Sequence, residues 1–213
     1  MVGRAAVERE LESRGLLLVQ GQWEVPSIAD LLAGHAVTTR GFSWDYVPAD
    51  TLAIELADRA DVARCKLLRG RVTLVVQRLW SPVHTLALAA HAGVQRRSAD
   101  DDRRRVLGYV DAHPGTSGGT CKTALRLDAR AFQRARTDLE RWLCIWGAEQ
   151  PRAEYHTHDR AWFPWTTGKI AGAAGEHESL DGATTTLLAA VFPAGAPRGT
   201  RPATLFPALS AGQ

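Results

Sequence analysis

A chain of 213 residues with 45% apolar and 23% charged side chains has the balance of an ordinary globular protein, long enough for one large or two small cores. No run of about 18 apolar residues occurs, which excludes a membrane-spanning helix, and the N-terminal MVGRAAVERELESRG carries acids where a secretory signal has an apolar core. A cytoplasmic location is therefore expected. The net charge of +3 permits a nucleic-acid partner, but the basic residues comprise 23 Arg and 3 Lys and no Asn occurs, as a GC-rich coding bias produces. What matters is where the arginines sit.

Residues 1–95 read as a first α+β unit, with a degenerate winged helix left open for it. VERELESRG has helical polarity and stops at Gly15, and LLLVQ follows as a short apolar strand. PSIADLLAG enters a helix through Pro26 and Ser27 and closes on Gly34. VPADTLAIELADRADV reads as another helix. In ARCKLLRGRVTLVVQRLW, Arg69, Gly70 and Arg71 interrupt two β-rich runs, which predicts a hairpin. A helix restarts at Ser81-Pro82.

QRRSADDDRRR (95–105) is charge-dense, with Ala99 its one apolar residue, and reads as a linker running into a helix whose acids precede its bases, as the helix dipole favours. Residues 100–167 form a second unit. DDDRRRVLGYVDAH is one helix ended by Pro114-Gly115. GTSGG is a turn before a short helix, and DARAFQRARTDLERWLC is a third helix. IWGAEQ and AEYHTHDRAWFPW then read as two strands joined at Pro151-Arg152. Three helices followed by a hairpin is the winged-helix order. In residues 168–213 one helix, ATTTLLAAVFPA, is expected to pack on the body, with the last residues partly mobile. No repeat of fixed period is visible. The expected class is α+β, predominantly helical with short β-hairpins, with a winged helix-turn-helix in the C-terminal half.

The third helix of the second unit carries the functional expectation. At about 100° per residue, Phe132, Ala135, Leu139, Trp142 and Leu143 share one arc, and Arg130, Gln133, Arg134, Thr137 and Arg141 the opposite one. Asp128 is placed as N-cap. Arginine offers a planar fork for guanine or phosphate, glutamine can bond adenine, and threonine reaches phosphate, so double-stranded DNA is the expected partner. The hairpin adds Arg152, His156, His158 and Arg160 along the path of a backbone. His156 and His158 share a strand face, but no third ligand is evident, and no metal is expected. Trp142, Trp146, Trp162 and Trp165 read as core. Cys65, Cys121 and Cys144 are far apart in sequence and read as buried, reduced thiols.

No serine elbow, phosphate-cradling glycine loop or His-Glu-x-x-His motif occurs. One local pattern has a chemical reading. If the strand at LLLVQ continues, Gln20 and Gln22 face the same side. Two amides there could orient a water beside a sugar C1′ as a base departs. LLLVQGQ…VPSIADLLAG, KLLRGRVTLVVQRLW and a C-terminal winged helix together resemble the AlkZ/YcaQ-like winged-helix superfamily. Its characterised members are bacterial DNA glycosylases that remove alkylated or crosslinked bases. The resemblance implies tandem winged helices around a β-barrel, repair of damaged duplex DNA, no cofactor, and a catalytic role for Gln20 and Gln22. Two other readings stay open: a dimeric transcriptional regulator using the same helix on a palindromic operator, and a protein-interaction module with no DNA affinity.

Overall fold

The computed structural model describes residues 2–21, 25–37, 47–150, 159–173 and 178–211. The first unit begins with α1 (Val2–Arg14), which stops at Gly15, where φ is 86°. Next come β1 (Leu16–Leu18), α2 (Ile28–Ala33) and α3 (Val47–Ala57). A capping box holds α2: Ser27 Oγ accepts from Asp30 N while the Asp30 carboxylate faces Ser27 N, and Gly34 closes the helix in the left-handed region. α3 ends at Ala57, short of the helix expected through Val62, because Val62 opens a strand. That strand, β2 (Val62–Cys65), and β3 (Thr73–Val76) form the hairpin predicted around Arg69-Gly70-Arg71. β3 lies in the middle of the three-stranded antiparallel sheet, in the order β1-β3-β2.

β1 and β3 are buried on both faces, which explains their largely apolar runs, whereas β2 ends in an exposed Arg64 and a half-buried Cys65. Leu17, Val62, Leu74 and Val76 pack with Val7, Leu11, Ile28, Leu52 and Leu56 of the three helices. Leu16, Leu18, Ala63 and Val75 turn the other way, into a larger core shared with the rest of the chain. At the centre of that core runs α4 (Trp80–Gln95), most of which is buried.

The second unit repeats the order. It comprises α5 (Asp102–Ala112), β4 (Thr116–Ser117), α6 (Gly118–Ala124), α7 (Ala129–Arg141), β5 (Ile145–Gln150) and β6 (Asp159–Pro164). Its antiparallel sheet has the order β4-β6-β5. Each unit is thus helix, strand, helix, helix, strand, strand, with the last strand central. The segment expected as a turn, GTSGG, instead supplies β4, paired to β6 through Thr116 and Trp162, and the N-cap Ser117 of α6. Within β5, Gly147 faces Trp162; a β-carbon there would lie 2.8 Å from the indole, so only glycine lets the ring lie flat on the strand.

Of the C-terminal segment, expected to be partly mobile, the described helices and the stretch up to Ala211 pack on the body, while 193–199 are exposed. α8 (Lys169–Ala173) and α9 (Leu180–Val191) lie against α4, as does the stretch around α10 (Pro202–Leu205). Phe206 and Ala211 are fully buried, and Arg97 Nε donates to the Ala211 carbonyl at 3.0 Å. Apolar burial on this scale overrides the loop-like composition of the segment.

Candidate nucleic-acid interface

α7 is set by both of its ends. Asp128 Oδ1 accepts from the backbone N–H of Arg130 at 2.8 Å and Ala131 at 2.9 Å. These bonds stabilise the carboxylate and hold its pKa below the ordinary aspartate value. At the other end Leu143 takes a φ of 58°, Cys144 N donates to Leu139 O at 2.9 Å, and Leu143 N donates to Glu140 O at 3.2 Å. This is a Schellman closure with leucine where glycine usually sits. The helix therefore stops at Arg141, three residues short of the expected Cys144. Burial of the Leu143 side chain compensates for the strained backbone.

Between these ends the two faces separate as predicted. Phe132, Ala135 and Leu139 are buried, and Arg130, Gln133, Arg134 and Arg141 are exposed. Thr137 is half-buried at the edge. Trp142 is half-buried rather than core, lying under the guanidinium groups of Arg97 and Arg103 at 5.0 Å and 5.5 Å. Both acids of α7 are paired, Glu140 in a buried position and Asp138 in a half-buried one. Asp138 accepts from Arg103 Nε at 2.8 Å and Nη2 at 2.6 Å. Glu140 is only 6% exposed and lies 3.1 Å from both Lys66 Nζ and Arg136 Nη1. Among the described residues, Arg130, Arg134 and Arg141 form no ion pair. The helix thus presents cations outward while its own carboxylates are paired.

Arg141 has a second contact. Its stem lies on Gly70 of the first unit's hairpin, where φ is 69° and a β-carbon would fall 2.5 Å from Arg141 Cγ. This glycine is required both by its backbone conformation and by the seating of α7 on the first unit.

Of the hairpin residues expected along a phosphate backbone, Arg152, His156 and His158 lie outside the described residues. Arg160 does not simply extend the α7 face: its Nη1 is 3.9 Å from Glu140 Oε1. Trp162 and Trp165 are core, and Trp165 Nε1 donates to His84 Nδ1 of α4 at 3.1 Å. Trp146, expected as core, is half-buried and stacks on Phe163 with a centroid separation of 4.8 Å.

Gln20 is half-buried, just beyond the end of β1, and Gln22 lies outside the described residues. The condition that would place both amides on one strand face is not met. β1 ends at Leu18, and Gly21 has a φ of 116°, which turns the chain out of the strand. The three cysteines are free thiols. Burial raises Cys65 to about 12 and Cys121 to about 11, and pushes Cys144 up as well, so none supplies a thiolate at neutral pH. Among the described residues no cluster of three His, Cys, Asp or Glu side chains could hold a metal ion, and no helix is long and apolar enough to cross a membrane.

Where α3 and the β2–β3 hairpin face α7, β5 and β6, the units enclose an open cleft of about 520 Å³. Lys66, Glu140, Arg160, Trp146 and Trp165 line it. Sequence reasoning missed this cleft because its two walls lie some seventy residues or more apart in the chain. No family model, curated protein or solved structure matches the chain.

Proposed function

We propose that this chain binds duplex DNA through the exposed face of α7, with residues 100–167 acting as a winged helix. The observation that carries the reading is the charge sorting on α7: Arg130, Gln133, Arg134 and Arg141 face solvent while Asp138, half-buried, and Glu140, buried, are paired with cations of the chain. A helix that merely needed solubility would mix both signs outward. The helix, strand, helix, helix, strand, strand order, with α7 third among the helices and β5–β6 after it, supports a winged-helix docking mode. Its occurrence in both units agrees with the tandem arrangement implied by the AlkZ/YcaQ-like resemblance.

The test is fluorescence anisotropy of a labelled duplex across a salt series. Each phosphate contact contributes about one unit to the slope of log affinity against log salt. Tight, steeply salt-dependent binding is expected; no binding at low salt removes the reading and leaves the protein-interaction alternative. Within the same proposal, base excision would use Gln20 and Gln22 to position water next to an extruded nucleotide, with Gln20 held beyond the end of β1 and not on a continuing strand. Abasic-site formation on alkylated duplex checks this, and full activity in the Gln20→Ala, Gln22→Ala double variant would refute the assignment.

A further inference from the structure

The basic face of α7 runs into the first unit at its C-terminal end. The hairpin between β2 and β3 turns at Leu68–Gly70, where two successive residues are left-handed, Arg69 at φ 49° and Gly70 at φ 69°. Arg71 N donates to Leu68 O at 2.7 Å, which closes the turn, and Arg71 leaves it extended, with φ −90° and ψ 152°. This narrow tip lies on α7. A β-carbon on Gly70 would fall 2.5 Å from Arg141 Cγ and 2.6 Å from Arg141 Nε, so the arginine stem and the base of its guanidinium lie over the glycine.

Arg71 follows Gly70 directly, and adjacent Cα atoms are about 3.8 Å apart. An exposed arginine of the first unit is thus brought beside an exposed arginine of the second. Among the described residues neither forms an ion pair. The carboxylates of α7 nearest to Arg141 are already committed, Asp138 to Arg103 and Glu140 to Lys66 and Arg136. Like charges gathered at one seam repel, and an anion bound there relieves the repulsion. Arg134 lies two turns before Arg141, roughly 10 Å along the axis. Arg134, Arg141 and Arg71 therefore continue the basic face of α7 across the boundary between the units.

A row of cations of this length suits the evenly charged backbone of a nucleic-acid strand, since a small anion reaches only one or two of them. The hairpin that carries Arg71 also stands in the first unit where β5–β6, the wing, stands in the second. Resting on the duplex reading of α7, we infer that the β2–β3 hairpin tip is a second wing on the same DNA: Arg71 grips a backbone phosphate next to the one held by Arg141, so that the duplex bridges the two units. The first unit then takes part through its hairpin and not through α3, which turns out Val47, Ile54 and Glu55 where α7 turns out arginines.

The experiment is fluorescence anisotropy of the full chain with a labelled duplex of about two helical turns, across a salt series. The parent is compared with Arg71→Ala, Arg71→Lys and Arg134→Ala. Arg71→Ala should lower the slope of log affinity against log salt by about 1, so that its affinity and the parent's draw together about tenfold over a tenfold rise in salt. Arg71→Lys should keep the parent slope, because a phosphate needs the charge and not the fork. The Tm of Arg71→Ala should match the parent's, since the side chain is exposed. An unchanged slope in Arg71→Ala beside a lowered one in Arg134→Ala overturns the hairpin contact and leaves the α7 reading standing. No duplex binding by the parent overturns both. Weaker binding at an unchanged slope, or a slope that lysine does not restore, also overturns the contact. So does a poly-glutamate peptide that binds the parent as tightly as duplex at the same salt, which would make the row a docking surface for an acidic protein.

Discussion

α3 and α7 occupy the same place in two units of the same connectivity, yet they expose opposite surfaces. The outward residues of α3 include Val47, Thr51, Ile54 and Glu55, with Asp58 just beyond its end, whereas α7 turns out Arg130, Gln133, Arg134 and Arg141. Their inner faces are alike, with Leu52 and Leu56 on one and Phe132 and Leu139 on the other. Topology and burial therefore do not specify a nucleic-acid surface. What differs is the pairing of charge. Glu55 is exposed and bonds Arg4 at 2.8 Å, so its carboxylate remains at the surface, while the acids of α7 are paired in buried or half-buried positions. The C-terminal end of α3 is also occupied from within the chain: Lys169 Nζ donates to the carbonyls of Ala57 at 3.0 Å, Val62 at 2.7 Å and Arg59.

The largest effect expected concerns what the two units share. Leu56→Ala and Leu139→Ala each empty a fully packed position and should cost about 2–5 kcal/mol in urea or guanidinium unfolding. Because residues of both units join one core, unfolding should stay a single transition in both variants; two separate transitions would divide the units. Next comes the difference between the helices. Arg134→Ala should weaken duplex binding and lower its salt slope by about 1, while Glu55→Gln on α3 should leave both unchanged. An equal response from the two helices would erase the contrast. A smaller effect is expected from Lys169→Met, which leaves the carbonyls of Ala57, Arg59 and Val62 near the end of α3 without their charged donor. About 1–3 kcal/mol of stability should be lost, with duplex affinity retained. The smallest is a pH effect at the start of α7. Asp128 titrates below its unfolded value, so its stabilisation is complete above about pH 4 and fades as pH falls through the lowered native pKa. Asp128→Ala should lower the Tm at neutral pH and show less acid sensitivity than the parent in thermal melts.

Local chemistry made much of this fold legible. Ser27 and Gly34 delimit α2, the Arg69-Gly70-Arg71 interruption separates β2 from β3, and Asp128 starts α7. The basic and apolar arcs of α7 followed from helical periodicity alone. Features set by distant contacts were not legible. Glu140 looks like a flanking surface acid until Lys66, from the other unit, is placed beside it. Leu143 gives no helix-stop signal because its left-handed conformation is sustained by burial rather than by its residue type. The repeated topology was visible only through the resemblance, which implies tandem winged helices, and not in the residues themselves. α3 and α7 share no residue pattern beyond their inner faces, and β4 is two residues long against three for β1. For the glutamine pair, the strand periodicity invoked for Gln20 and Gln22 is broken by Gly21, which a single residue type could not announce.

The bond from Arg97 to Ala211 closes a sequence separation of 114 residues. At synthesis rates of about 5–20 residues per second, roughly 6 to 23 seconds pass between the emergence of the two partners. During that interval the apolar side of α4 that later receives Phe206 and its neighbours has no cover of its own. A ribosome-bound chain stalled before Phe206 would thus leave uncovered the part of α4 that residues 207–210 pack against.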